Sequence, residues 1–504
     1  MSGQTANYSS GFSQWVDPFD AASNATAPNA TTSKKQAKQN SMDLEKYINR
    51  NEQGDAEFFT LLFKGLVAFD HAENAWYLWR GQYWQKDVRR EIVGYVSNRA
   101  ASFYVAVAAQ ELRTQGNTPY YKKLQERAKQ LHTLTRTKHV LEFATGEDGI
   151  SLDGTEWDSN PDLLPANNGV IDLKTGKFRN CQPTEYIRHH TPVDWKGINE
   201  PCPIWEKTLD GIFDGNKELI DFIQRLFGYA ITGHVTEHKL PIFLGESARN
   251  GKTTIFEALN NILGDDLSTS IPMNTFMKKK YTSDGPAPYL EKLNGKRLAY
   301  SSESAEGIKI DTALIKSLTG GDTLNPRGMY KDPKSFKPTH KLMLFTNFQP
   351  AVPADDQAAW DRILLIPLDM RFVDNPTKPN ERKKDKNLGE KLKDEYPGIL
   401  AWLVRGCLAW RKQGLNQPDS VTQATTKYRD SEDSLQIFVD ECLTFGTGLG
   451  YQTKSSDMYI RYHKWADSYG MGAMSLTSFG KKIKKKIGDP VRLTAGVFYQ
   501  NVKI

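Results

Sequence analysis

The chain holds only four cysteines, Cys181, Cys202, Cys407 and Cys442, and none stands at metal-ligand spacing from another. This excludes a disulfide framework and a zinc site, and it points to a reducing compartment. Long apolar runs are also lacking. None approaches the roughly 20 residues that cross a bilayer, and the first residues lack the basic and apolar layout of a secretory signal. No membrane association and a cytoplasmic location (bacterial host or infected cell) are therefore expected. Neither sign of charge dominates: 66 Lys plus Arg face 60 Asp plus Glu, a net charge of +6 with pI near 8.8. Such a balance permits nucleic-acid binding without requiring it.

A length of 504 residues implies two to four domains. Residues 1–40 are rich in Ala, Ser, Thr and Asn and read as a disordered tail. Residues 41–204 read as a helical and mixed domain preceding the core. Within it Ala56 to Val67 has helical spacing, and Asn74 to Asp87 reads as two short strands about a turn at Arg80-Gly81. Trp76, Trp79 and Trp84 are expected to fill that small module rather than stack bases. From Leu163 to Phe178 short strands alternate with glycine turns, and the adjacent His189 and His190 would face opposite sides of a strand, which argues against a metal pair.

The organising stretch is Pro241-Ile-Phe-Leu-Gly245-Glu-Ser-Ala-Arg-Asn250-Gly251-Lys252-Thr253-Thr254. An apolar strand, a loop of small residues and then a helical pattern from Ile255 to Leu263, closed by Gly264, make a phosphate cradle in which loop N–H groups and a helix N-terminus face the anion. Gly245, Asn250, Gly251, Lys252, Thr253 and Thr254 would bind the nucleotide. Lys252 would reach the β- and γ-phosphates, and the Thr253 hydroxyl would ligate Mg²⁺. The usual pattern separates the first glycine from Gly-Lys by four residues. Here five intervene, and Glu246 stands where a glycine is expected.

Further stations follow within a core spanning 205–375. Gly295 to Glu303 is an apolar strand ending in an acid, where such a site needs one for Mg²⁺ or for the attacking water. Asp311 to Gly320 reads as a helix. Thr323 to Lys334 reads as a hairpin whose Arg327, Lys331 and Lys334 suit a phosphate backbone. Lys341 to Asn347 is a buried strand with an amide at its end. Arg362 immediately precedes another apolar strand, and its guanidinium suits charge developing on a γ-phosphate.

In this order the motifs Gly-Glu-Ser-Ala-Arg-Asn-Gly-Lys-Thr-Thr, Gly-Lys-Arg-Leu-x4-Glu, Leu-Ile-Lys-Ser-Leu-Thr-Gly-Gly-Asp-x4-Arg, Phe-Thr-Asn and Trp-Asp-Arg resemble the superfamily-three DNA helicases, and more narrowly the phage, plasmid and poxvirus primase-helicases. The likeness covers roughly residues 55 to 445. It implies an α/β fold with an AAA+-like P-loop ATPase core, cofactors ATP and Mg²⁺, and a hexameric ring moving on single-stranded and forked DNA. Carried over, Lys252 and Thr253 form the phosphate site, Glu303 the metal and water acid, Asn347 the sensor and Arg362 a finger acting on the neighbouring subunit. Residues 1–140 show no paired acids on an apolar strand, so primer synthesis is expected from a separate primase or polymerase.

Residues 376–450 read as a hydrophilic link and a helical lid with Trp402 and Trp410. Residues 455–504 read as a winged-helix-like α+β module whose Lys481, Lys482, Lys484, Lys485 and Lys486 suit contact with a DNA backbone. The competing expectation is a replication initiator or a remodelling ATPase that does not unwind duplex DNA.

Overall fold

The computed structural model describes residues 44–277, 288–302, 308–326, 335–448, 450–470 and 472–504. Glu303, Arg327, Lys331, Lys334, the Lys278–Lys280 cluster and the expected tail lie outside the described residues. The chain divides into two units, Met1–Lys64 with Val88–Ser151, and Gly65–Asp87 with Leu152–Ile504.

The first unit is helical among its described residues. Asn51–Phe63, Ala101–Gln115, Pro119–Leu131 and Leu134–Ala144 are its longer helices. Thr118 and Thr133 cap two of them by accepting hydrogen bonds from the N–H groups of Tyr121 and Arg136. Aromatic rings fill the core, with Phe58 against Tyr104 at 5.1 Å. Asp55 is buried there and accepts from Arg127 at 2.6 Å and from Arg136 Nε at 2.7 Å. The helix expected over Ala56–Val67 ends at Phe63, because the chain turns at Gly65 (φ +81°) into a strand, Val67–Asp70.

In the second unit, Val67–Asp70, Ala75–Trp79 and Trp84–Lys86 form an antiparallel sheet around buried Tyr77, Trp84 and Trp157. Leu163–Ala166, Gly169–Asp172 and Phe178–Arg179 form a second one. The central feature is a parallel sheet of five strands: β1 (Leu240–Leu244), β2 (Ser268–Ser270), β3 (Leu298–Ser302), β4 (Lys341–Thr346) and β5 (Ile363–Pro367), in the order β5-β1-β4-β3-β2. Both faces of β1, β4 and β5 are covered, which is why those three strands read as near-continuous apolar runs. Alternate residues enter different cores: Phe243, Phe345 and Ile366 pack with helices Lys217–Ala230 and Tyr396–Gln413, whereas Ile242, Leu344 and Leu365 pack with Phe276, Trp360 and Tyr428.

Helices Lys217–Ala230 and Tyr396–Gln413 approach so closely that side chains are excluded at the crossing. A Cβ on Gly228 would lie 2.1 Å from the Cys407 nitrogen, and one on Gly406 would lie 2.1 Å from the Gln224 carbonyl oxygen. Near the C-terminus, helices Ser434–Cys442, Ser455–Ser468 and Leu476–Ile487 pack with a three-stranded antiparallel sheet (Gln452–Lys454, Val491–Leu493 and Gly496–Gln500) around Phe438, Tyr462, Phe479 and Tyr499. This core begins at Leu435, upstream of residue 455.

His189 and His190 lie outside any strand, contrary to the pattern read from their neighbours. Each has its own carboxylate instead: His189 Nδ1 is 2.6 Å from Asp158, and His190 Nδ1 is 3.2 Å from Asp266. Among the described residues no group of three or more His, Cys, Asp or Glu is placed to hold a metal, and no helix is long and apolar enough to cross a membrane.

Candidate functional site

The chain leaves β1 through the small-residue loop, enters helix Lys252–Leu267, and crosses to β2 at the far edge of the sheet before returning through β3 to β4. β1 therefore has β4 on one side and β5 on the other: the connection from β1 runs to the β2 edge, whereas the connection from its neighbour β4 runs to the β5 edge. Open parallel sheets bind ligands at the carboxyl ends of strands flanking such a switch point. A cleft of about 1370 Å³ opens there, lined by the loop from Ala248 to Thr254, by Ser302 at the end of β3 and by Asn347 just past β4.

The loop's residue types follow from its shape. Gly251 has φ +89°, and a Cβ on it would stand 2.5 Å from Ile212. At Gly245 a Cβ would fall 1.6 Å from Asn250 Nδ2 and 2.7 Å from Lys252 Nζ, so the missing side chain is the space that these two groups occupy. Asn250 is buried, and its Nδ2 donates to the Ser247 carbonyl at 2.6 Å, which folds the longer loop back on itself. Glu246 is exposed and does not line the cleft.

Lys252 Nζ donates to three oxygens: the Gly245 carbonyl at 2.9 Å, Asn250 Oδ1 at 2.9 Å and Asn347 Oδ1 at 2.6 Å. All three acceptors are neutral. Burial pushes the ammonium down to about 8, while these oxygen contacts favour its charged form. Lys252 and Asn347, which are 95 residues apart, thus meet at the ends of adjacent strands. Thr253 and Thr254 line the same cleft.

Arg362 is not brought to this point. It precedes β5, pairing through its carbonyl with the Leu240 N–H at the amino end of the sheet, whereas Lys252 follows the carboxyl end of β1. Its Nη1 donates to Ala358 O at 2.6 Å, and its buried Nε has no hydrogen-bond partner among the described residues. Of the stretch expected to form the basic hairpin, Leu324 is described and pairs antiparallel with Phe336, whereas Arg327, Lys331 and Lys334 lie outside the described residues. On helix Leu476–Ile487, Lys482 pairs with Asp355 at 3.1 Å, Lys484 with Asp489 at 3.2 Å and Lys486 with Asp433 at 2.7 Å. Lys481 and Lys485 are exposed.

Sequence reasoning missed the opposite wall of the cleft. Lys383, Lys384, Leu388 and Tyr396 line it, together with Ile204 and Ile212 from helix Pro203–Ile212. The wall is braced by Glu395, whose carboxylate accepts from the Ile204 and Trp205 N–H groups at 2.9 Å each, and by Tyr396, whose hydroxyl accepts from Asn261 at 3.0 Å. The lysine run had read only as a hydrophilic link. The available signal was Phe372, an aromatic residue opening that stretch, whose N–H donates to the Arg249 carbonyl of the loop after β1 at 2.8 Å.

Residues 56–214 match the family described as D5 N terminal like, and residues 243–362 match a family of unknown function (DUF5906). Among curated proteins, "Putative helicase L207/L206" of Acanthamoeba polyphaga mimivirus is 30% identical over 324 residues, covering 62% of this chain and 33% of that protein. "Putative helicase 121R" of Invertebrate iridescent virus 3 is 25% identical, covering 61% and 35%, and "Putative primase C962R" of African swine fever virus (isolate Tick/Malawi/Lil 20-1/1983) is 22% identical, covering 61% and 33%. These matches support a relationship to the phage- and poxvirus-type primase-helicases. The chain spans about a third of the length of these relatives. A solved structure titled as the A form apo structure of the NrS-1 C terminal region is also similar, at 11% identity and TM-score 0.43, covering 87% of this chain and 97% of that one.

Proposed function

We propose that the chain is an ATP-dependent, ring-forming DNA helicase that serves the replication of a virus, phage or mobile element and moves on single-stranded DNA. The observation that carries this reading is the meeting of Lys252 with Asn347 in the cleft at the switch point of the parallel sheet. The residues present suit a nucleotide polyphosphate: a cation with only neutral acceptors is ready for an anion, and the bare Gly245 leaves room for the Asn250 and Lys252 side chains that shape the loop. ATP supplies the transferable phosphoryl group, and Mg²⁺ offsets its charge.

Around them this chain's residues divide the work. Lys252 and the loop N–H groups hold phosphate oxygens, the Thr253 hydroxyl and Glu303 hold the metal, and Asn347 orients the attacking water. Arg362, at the other end of the strands, serves the neighbouring subunit's site, which requires a ring and favours a hexamer. Arg327, Lys331 and Lys334 face single-stranded DNA. The C-terminal module acts as a winged helix, with Lys481, Lys482, Lys484 and Lys485 toward a DNA backbone.

Strand displacement on a forked duplex with ATP and Mg²⁺, comparing wild type with Lys252→Ala, tests the proposal. Wild type should separate the strands and the variant should not. ATP hydrolysis without displacement by the wild type would sink the helicase reading in favour of a remodelling or initiator ATPase.

A further inference from the structure

Three strands from β1, where Thr269 of β2 meets the small antiparallel sheet, lies a second cleft of about 630 Å³. Its floor is aromatic. Tyr83, in the turn between Ala75–Trp79 and Trp84–Lys86, stacks on His190 with ring centroids 4.0 Å apart and planes 15° from parallel, and both residues keep part of their surface open. The neighbouring Trp84 is scaffold: it is 2% exposed, and its Nε1 donates to the Pro183 carbonyl at 2.9 Å.

The rim is cationic but nearly balanced. Lys86, Arg188, Lys292 and Lys296 stand against Glu73, Asp266 and Glu291. Glu73 is consumed within the wall, accepting from Lys86 at 3.0 Å and from Arg188 and Tyr77 at 2.9 and 2.8 Å, which holds its carboxyl at about 2. Lys292 is exposed, and Lys296 donates to the Asp266 backbone carbonyl at 3.0 Å, a neutral acceptor.

A stacked platform edged by lysines fits a nucleobase joined to a phosphate, because every base offers a π-face and each phosphodiester one negative charge. We propose that this cleft is a second nucleic-acid site, in which a base of a single strand stacks on the Tyr83–His190 pair while its flanking phosphates meet Lys292 and Lys296. A single strand fits better than a free mononucleotide, whose terminal phosphate carries about two charges near the carboxylates of Asp266 and Glu291. The site is separate from the ATP cleft and needs no hydrolysis.

The full chain, without ATP, is irradiated with a short oligonucleotide carrying 5-iodouracil, and the adducts are mapped by mass spectrometry. Adducts on Tyr83 or His190 are expected, unchanged in Lys252→Ala, so this test is independent of the motor reading. Tyr83→Leu should lose the adduct and weaken binding of the short strand about tenfold, and Tyr83→Phe should keep both. Lys292→Glu should flatten the salt dependence. Adducts confined to other peptides overturn the proposal whether or not a variant folds, and so does unchanged affinity in a folded Tyr83→Leu. If millimolar thymidine monophosphate abolishes the Tyr83 adduct while the strand stays bound, the ligand is a free nucleotide and the assignment to a strand is overturned.

Discussion

Lys252 joins three kinds of oxygen: a loop carbonyl, a loop amide and an amide from the neighbouring strand. Its substitution by alanine should abolish nucleotide binding, read as loss of a calorimetric signal with MgATP. Asn347→Ala should leave nucleotide affinity within a few-fold but lower kcat by about a hundredfold, since it acts on the transition state rather than on the bound ground state. A loss confined to KM would reject the sensor role. The pH dependence follows from burial. In the free protein Lys252 is held near 8, below its usual 10.5, so the unfolded chain binds more protons between those values and folding stability rises with pH across that window. Phosphate favours the ammonium, so nucleotide affinity should fall as pH rises through about 8, with proton uptake on binding. Calorimetry in buffers of different ionisation enthalpy measures that uptake, and its absence at pH 8.5 (about half a unit above the midpoint) would contradict the assignment.

At the scale of elements, two glycines hold a helix crossing that supports one face of the sheet. Gly228→Ala and Gly406→Ala each place a methyl about 2 Å from backbone atoms, which do not yield as a side-chain tip does. Each should cost more than the about 1–3 kcal/mol of ordinary overpacking, seen as a lowered midpoint in urea unfolding with an unchanged slope. In the helical unit, Asp55→Ala leaves the Arg127 guanidinium buried without its carboxylate and should cost about 3–5 kcal/mol. Thermal unfolding reports it, and a change below about 1 kcal/mol would mean that solvent reaches the arginines.

For the molecule as a whole, the separation of Arg362 from Lys252 along the strands sets a requirement: a finger at this position must serve another copy. Mixing Arg362→Ala with Lys252→Ala subunits should restore part of the ATPase activity, each defect lying in a different half of a shared site. No recovery at any ratio would exclude action in trans. The C-terminal module carries a second lesson for design. Its core includes Leu435 and Phe438, so cutting at residue 455 would strip a packed helix, and the informative truncation removes residues 433–504. That truncation, or Lys481→Glu with Lys485→Glu in the full chain, should weaken DNA binding and reduce its salt slope. Unchanged affinity in both would reject the module as a DNA-binding element.

Local pattern determined much of this protein. Apolar runs buried on both faces marked β1, β4 and β5, Gly264 with φ +68° interrupts the helix after the β1 loop where its pattern stopped, and Asp311 and Gly320 bound the helix between them. That Asn250, Gly251, Lys252, Thr253 and Thr254 line one cleft was legible because they are close together in sequence, between a buried strand and a helix. Tertiary structure alone decided what depends on distance: that Asn347 Oδ1 lies 2.6 Å from Lys252, that Arg362 lies at the other end of the strands, and that a lysine-rich stretch forms a wall of the cleft. It also decided that glycines at 228 and 406, which weaken helices by propensity, are required by a crossing too tight for any side chain. Propensity and periodicity act over a few residues, whereas a site is made where strand order and helix packing bring distant residues to the same few ångströms.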